Sequence, residues 1–268
     1  RRRHGPKVNA MSGQIVQKLF SVSLALPLGA ASILRDIVFP PSCAHCHCRT
    51  GRHGALCPRC WSSVRFIDRP YCEVLGTPFG HDPGAGMLSA EAIAHPPVFD
   101  RLRSVAVHEG IARDLVHDLK YRDRTDLAPM MAGWMARAGG EVLADCDAVV
   151  SVPLHATRLF SRKFNQSAEL ARHVAHYSGK RYLPLGLKRR KKTVQQVGLT
   201  ANARSLNVRG AFLVPDAARA EIFGRHIVLV DDVFTTGATV SAATRALKRA
   251  GAREVSVLTF ARAFSGPI

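Results

Sequence analysis

Acidic residues are scarce in this chain of 268 residues: 20 Asp and Glu stand against 38 Lys and Arg, for a formal net charge of +18. The excess is not confined to one tail. Residues 1–68 carry ten basic and two acidic side chains, and the remaining 200 carry 28 and 18. Such a balance points to phosphates, nucleic acid or an acidic membrane surface as partners, or to a solvated Arg-rich surface. Long uninterrupted apolar runs are also missing. The most apolar stretch, 15–38, is broken by Lys18, Pro27, Gly29, Arg35 and Asp36, which argues against a membrane-spanning helix and against membrane insertion. The RRR that precedes it has the form of a signal-peptide start, but the Cys cluster that follows suits a reducing, cytoplasmic compartment. An amphipathic helix packing on the next module is the expectation. No GxxxxGK[ST] loop and no GxGxxG turn occur, so Walker-type and dinucleotide sites are excluded. No Ser/His/Asp or Cys/His constellation is legible, nor is any internal repeat.

Cysteine, by contrast, is concentrated. Five of the seven lie between positions 43 and 60. They include Cys43-x2-Cys46-x10-Cys57-x2-Cys60, and paired CxxC units of this kind read as a zinc ribbon. Four thiolates leave no open coordination position, so the Zn²⁺ is expected to be structural. His45, His47 and Cys48 are close enough in sequence to compete as ligands. Cys146 is read as a small buried residue.

Punctuation divides the rest. Residues 1–38 read as a basic tail and N-terminal helix, with Met11 a candidate native start. FPPSC at 39–43 opens the metal module, 39–80. The Gly/Pro/Ala-rich 81–97 reads as a linker. From residue 98 strands and helices alternate: strands are expected at 103–108, 148–153, 181–185, 226–230 and 255–260. Helices are expected at 110–121, 127–143, 165–178 and 240–250. This β-α-β alternation predicts an α/β fold with a Rossmann-like parallel sheet covered by helices.

Residues 227–240, IVLVDDVFTTGATV, carry the chemistry. An apolar strand ends in Asp231 and Asp232, where open α/β sheets bind ligands. Thr235, Thr236, Gly237, Ala238 and Thr239 then turn into a helix whose first N–H groups suit an anion. Carboxylates accept hydrogen bonds from vicinal hydroxyls and help hold Mg²⁺. A ribose 5-phosphate fits both halves.

This segment resembles the phosphoribosyl pyrophosphate (PRPP) signature of type I phosphoribosyltransferases. Together with VVSVPLHATRLFSRKFNQS at 149–167, RRKKTVQQVGLTANARSLNVRGAF at 189–212, FPPSCAHC and LCPRCW, it is similar to the ComF/GntX family over about residues 36–262. Lys163 stands where the family has the glycine of GFNQ. The resemblance implies a type I phosphoribosyltransferase fold after a small four-cysteine zinc ribbon, and a cofactor Mg²⁺ bound with PRPP. It implies that Asp231 and Asp232 take the ribose hydroxyls and that 235–239 takes the 5-phosphate. Val152, Pro153 and Leu154 fall on the pyrophosphate loop, with Arg158, Arg162 and Lys163 following. The basic segment 188–209, with Lys191, Gln196 and Arg204, falls on a flexible lid. Relatives carry a further CxxC pair; here Cys72 remains and Leu75 replaces its partner, so one zinc is expected. Displacing pyrophosphate from an anomeric carbon needs neutralised charge and excluded water rather than a covalent nucleophile, which suits the missing triad. The implied function is a phosphoribosyltransferase linked to DNA uptake or nucleotide metabolism. The alternative is a non-catalytic PRPP sensor or single-stranded-DNA accessory of the uptake machinery.

Overall fold

The structure is a computed structural model that describes residues 36–84, 86–154, 164–190, 210–264 and 266. The chain forms two compact units, Arg1–Pro41 and Ser42–Ile268. Of the first, 36–41 are described, with a helical turn at 36–38. The second holds the sheet and the cysteine module.

Two short helices, α1 (Pro58–Ser62) and α2 (Ala90–Ala94), precede the main sheet. Then follow β1 (Arg101–Val107), α3 (Gly110–Tyr121), α4 (Ala128–Ala138), α5 (Gly140–Ala144) and β2 (Ala148–Ser151). The second half holds α6 (Gln166–Ser178), β3 (Arg181–Tyr182), β4 (Lys188–Arg189), β5 (Phe212–Leu213) and α7 (Arg219–Ile222). It ends with β6 (His226–Phe234), α8 (Ala238–Arg249) and β7 (Glu254–Arg262). Five strands form one parallel sheet in the order β1-β7-β6-β2-β3, and β4 and β5 make a small antiparallel pair. The parallel α/β sheet expected from the alternation is therefore present.

Both faces of this sheet are covered, which is why its strands are near-continuous apolar runs. Val228 and Val230 share a core cluster with Leu119, Met131 and Leu170. Their neighbours Ile227 and Leu229 share another with Val240, Leu247 and Phe212. The metal module docks along the free edge of β1: Ile67 N–H donates to the Val105 carbonyl and Val107 N–H to that of Arg65, each at 2.9 Å. Trp61, Phe66 and Trp134 close this junction, with Trp61 and Trp134 edge to face at 5.1 Å.

Three local readings change. β6 runs on through Asp231 and Asp232 to Phe234, because β7 keeps pairing with it as far as Phe234↔Arg262. The single helix expected at 127–143 is two, parted at Gly139, where a side chain would sit 2.8 Å from the Leu258 Cδ1 atom. The stretch 81–97 includes α2, capped by the Ser89 side chain on Ala92 N–H, with Ala92 buried in the core.

Candidate functional site

In an open parallel sheet a crevice forms where consecutive connections diverge. Here α6 carries the chain from β2 outward to β3, and α8 carries it from β6 the other way to β7. The divergence lies between β6 and β2. β2 pairs with β6 only as far as Ser151↔Val230, so Asp231 and Asp232 stand just beyond the end of β2. Residues 152–154 leave β2 at the same level, with Val152 N–H on the Val230 carbonyl at 2.9 Å.

The two carboxylates are held by different partners. Asp231 Oδ1 accepts from Ser167 Oγ at 2.8 Å and from Asp232 N–H at 3.0 Å. Asp232 Oδ1 pairs with Lys120 Nζ at 2.8 Å. Burial, and then the charge of Asp232, push the Asp231 carboxyl up to about 7 against the pull of the Ser167 hydrogen bond. Repulsion between the adjacent acids is thus relieved in two ways, by Lys120 on one and by proton uptake on the other. Burial, and then the Lys120 charge, lower the neighbouring His108 imidazole.

Lys120 and Ser167 are site residues that sequence reasoning did not single out. Lys120 is in the last turn of α3, within LKYRDR, a basic stretch to which the letters assign no role. Ser167 follows the FNQ of 164–166, and the structure explains that motif. Asn165 caps α6 by accepting from Ser167 N–H, while its Nδ2 donates to the Val152 carbonyl at 3.1 Å. Gln166, fully buried, reaches the Lys120 carbonyl at 3.5 Å. One helix start therefore ties together the end of β2, the end of α3 and the acidic pair.

The turn after the acids is shaped by Gly237. Its φ is +72°, and a Cβ there would lie 2.8 Å from Phe234 Cζ. Thr235 and Thr236 are exposed, Ala238 and Thr239 half-buried, at the start of α8. Its first-turn amides have no acceptor within the helix ladder. The structure thus sets Val152 beside the strand end that carries Asp231 and Asp232, with Pro153 and Leu154 following the one and 235–239 the other in the chain. Arg158, Arg162, Lys163, Lys191, Gln196 and Arg204 lie outside the described residues.

The second centre is the cysteine cluster. The Sγ atoms of Cys43, Cys46, Cys57 and Cys60 all lie within 4.8 Å of one another. Tetrahedral zinc with Zn–S bonds of about 2.3 Å needs sulfurs about 3.8 Å apart, so the set fits a structural Zn²⁺. Cys57 N–H donates to Cys43 Sγ at 3.2 Å. Burial pushes the Cys43 thiol up, but the backbone amides of Cys57, Cys46 and His45 outweigh it and hold it at about 6. Cys48 lies at the rim, 3.4 Å from Cys46. His45 lies between the cluster and α3, with Nδ1 3.6 Å from Cys60 Sγ and Nε2 3.3 Å from Asp114 Oδ2.

Comparison with known proteins matches both parts of the chain to known domains. Residues 34–92 match the double zinc ribbon domain and 155–267 the phosphoribosyl transferase domain. The molecule is a type I phosphoribosyltransferase-fold domain carried behind an N-terminal zinc ribbon. DNA utilization protein YhgH of Salmonella typhi is 33% identical over 217 residues, 78% of this chain and 91% of that one. Competence protein F of Haemophilus influenzae is 26% identical over 225 residues, 81% of this chain and 96% of its own. The chain belongs to the ComF family of competence and DNA-utilization proteins. Among solved structures, the allosteric regulatory enzyme of purine biosynthesis is similar over 49% of this chain and 25% of its own, at 25% identity and a TM-score of 0.34.

Proposed function

We propose that this protein binds PRPP with Mg²⁺ and transfers its phosphoribosyl group to an acceptor, releasing pyrophosphate. The observation that carries this reading is the acidic pair at the β6–β2 divergence, followed directly by a glycine turn and the start of α8. In it Asp231 and Asp232 receive the ribose hydroxyls, and Thr235, Thr236, Gly237, Ala238 and Thr239 cradle the 5-phosphate. Val152, Pro153 and Leu154 face the pyrophosphate, and Arg158, Arg162, Lys191 and Gln196 donate hydrogen bonds to it. Asp231 and Asp232 offer hard oxygen ligands of the kind Mg²⁺ takes, and the ion neutralises pyrophosphate when bound. The C1–O bond breaks, its electron pair leaves with pyrophosphate, and the acceptor forms the new bond to C1. The two carboxylates favour the positive charge that grows on the ribose in between. Thiolate zinc ligation suits a reducing compartment such as the cytoplasm. Among the described residues no helix is long and apolar enough to cross a membrane.

A second reading, a PRPP sensor or single-stranded-DNA accessory without turnover, is favoured by the relatives' names, DNA utilization protein and competence protein F, and by the net charge of +18. Titration calorimetry separates the possibilities. Mg²⁺-dependent PRPP binding is expected, weakened at least about tenfold by Asp232→Ala, a loss of roughly 1.4 kcal/mol. Unchanged affinity in that variant sinks the site assignment. Pyrophosphate release with one member of a panel of bases and amines marks the enzyme; binding with no release across the panel supports the sensor.

A further inference from the structure

The segment 71–94 repeats the backbone of the zinc ribbon at 42–62. Ser42 bridges Arg49 antiparallel, and Tyr71 bridges Pro78 in the same way. Cys43 N–H donates to the Cys48 carbonyl at 2.7 Å, and Cys72 N–H to that of Thr77 at 2.8 Å. The return bonds match too: His47 N–H to the Cys43 carbonyl, and Gly76 N–H to the Cys72 carbonyl. Both closing residues, His47 and Gly76, have φ of +60°. Ala44 N–H reaches the Ala55 carbonyl at 2.9 Å, as Glu73 N–H reaches that of Met87 at 3.2 Å. Cys57 N–H donates to Cys43 Sγ, and Ser89 N–H to Cys72 Sγ, each at 3.2 Å. A five-residue helix follows in each, α1 and α2.

This correspondence sets the ligands in register. Cys43, Cys46, Cys57 and Cys60 become Cys72, Leu75, Ser89 and Ala92. One thiol, one hydroxyl and two hydrocarbon side chains are not a zinc set. Leu75 and Ala92 are instead buried in the core beside Cys72. The fold of a metal knuckle persists where three of four thiolates are gone, so something else must hold it.

Arg262, at the end of β7, is the group that enters. It is 3% exposed and donates from Nη1 to the Leu75 carbonyl. Nη2 lies 3.4 Å from Glu91 of α2. Its guanidinium covers the ring of Phe234 at 5.3 Å to the centroid. That ring is the surface on which Gly237 closes. A chain of contacts therefore runs from the second knuckle through Arg262 and Phe234 to the turn at 235–239.

We propose that the second ribbon takes no metal and instead braces the 234–239 loop, with Arg262 as the positioning residue that joins them. Calling that loop a phosphate cradle rests on the reading above; the brace itself does not. Metal analysis of the full chain should find one zinc, lost in Cys43→Ser and kept in Cys72→Ser. Two zincs per chain, or loss in Cys72→Ser, overturns the proposal. In Arg262→Met the amides of 235–239 should exchange with solvent at least about tenfold faster while the zinc stays bound. Phe234→Leu, which leaves the Arg262 bond to Leu75 intact, should loosen the same amides. Unchanged exchange in both variants overturns the brace. Mg²⁺–PRPP affinity should fall in both with little change in thermal midpoint, and Arg262→Lys should restore part of it. Faster exchange in a protein that never binds PRPP upholds the brace and refutes the functional reading instead.

Discussion

Asp231 is the residue whose environment opposes its charge. Its folded-state carboxyl titrates near 7, well above the ordinary value of 3.8. A raised carboxylate favours the folded state while it is protonated. Stability from this group is therefore full below pH about 4 and is lost as pH rises through about 7. Asp231→Asn keeps an acceptor for Ser167 Oγ and removes the titration. It should raise the thermal midpoint at pH 8, and the difference should shrink as pH falls toward 5.5. An equal midpoint at both pH values contradicts this account. The adjacent acids are legible because they are neighbours in sequence. Lys120 and Ser167 are not, because each reaches Asp232 or Asp231 from a different helix.

Among the elements, α6 shows how a helix start organises the crevice. Asn165 caps it and also holds the Val152 carbonyl. Asn165→Ala should cost about 1 kcal/mol in stability. It should also raise the KM or Kd for PRPP more than Ser178→Ala does, since Ser178 bonds only within the far end of the same helix. Periodicity locates these elements well where the pattern is local: it predicts a helix at 110–121, and α3 spans Gly110–Tyr121. It errs at 127–143, where the chain breaks into two helices at Gly139, a position at which Leu258 leaves no room for a side chain. It also ends β6 before the acids, because strand length here is set by the partner β7, which no local pattern reveals.

For the whole molecule, the zinc site joins the ribbon to the sheet edge through Trp61, Phe66 and Trp134. Chelation should therefore destabilise more than the ribbon alone, at a cost of at least about 3 kcal/mol, beyond a typical point substitution. Calorimetric unfolding with and without chelator measures it. Cys48→Ser should retain zinc and the full midpoint, because Cys48 stands outside the four-sulfur cluster. Loss of zinc in that variant means the ligand set is wrong.

The sequence by itself determined the α/β class, the four zinc ligands and the acidic pair with its glycine turn. Each of these is a contiguous or closely spaced pattern, and local spacing suffices to place its atoms. The tertiary structure alone decided which cation faces Asp232, what FNQ at 164–166 is for, and that Arg262 enters the segment behind the zinc ribbon. In the letters the second ribbon shows through Cys72, the remnant of a further CxxC pair, within the match of 34–92 to the double zinc ribbon domain. With Leu75, Ser89 and Ala92 at the other three ligand positions, the rest of the likeness lies in backbone hydrogen bonds and in the Ser89 N–H bond to Cys72 Sγ. What now holds the second knuckle, Arg262, arrives from the far end of the chain, a meeting that only the folded sheet creates.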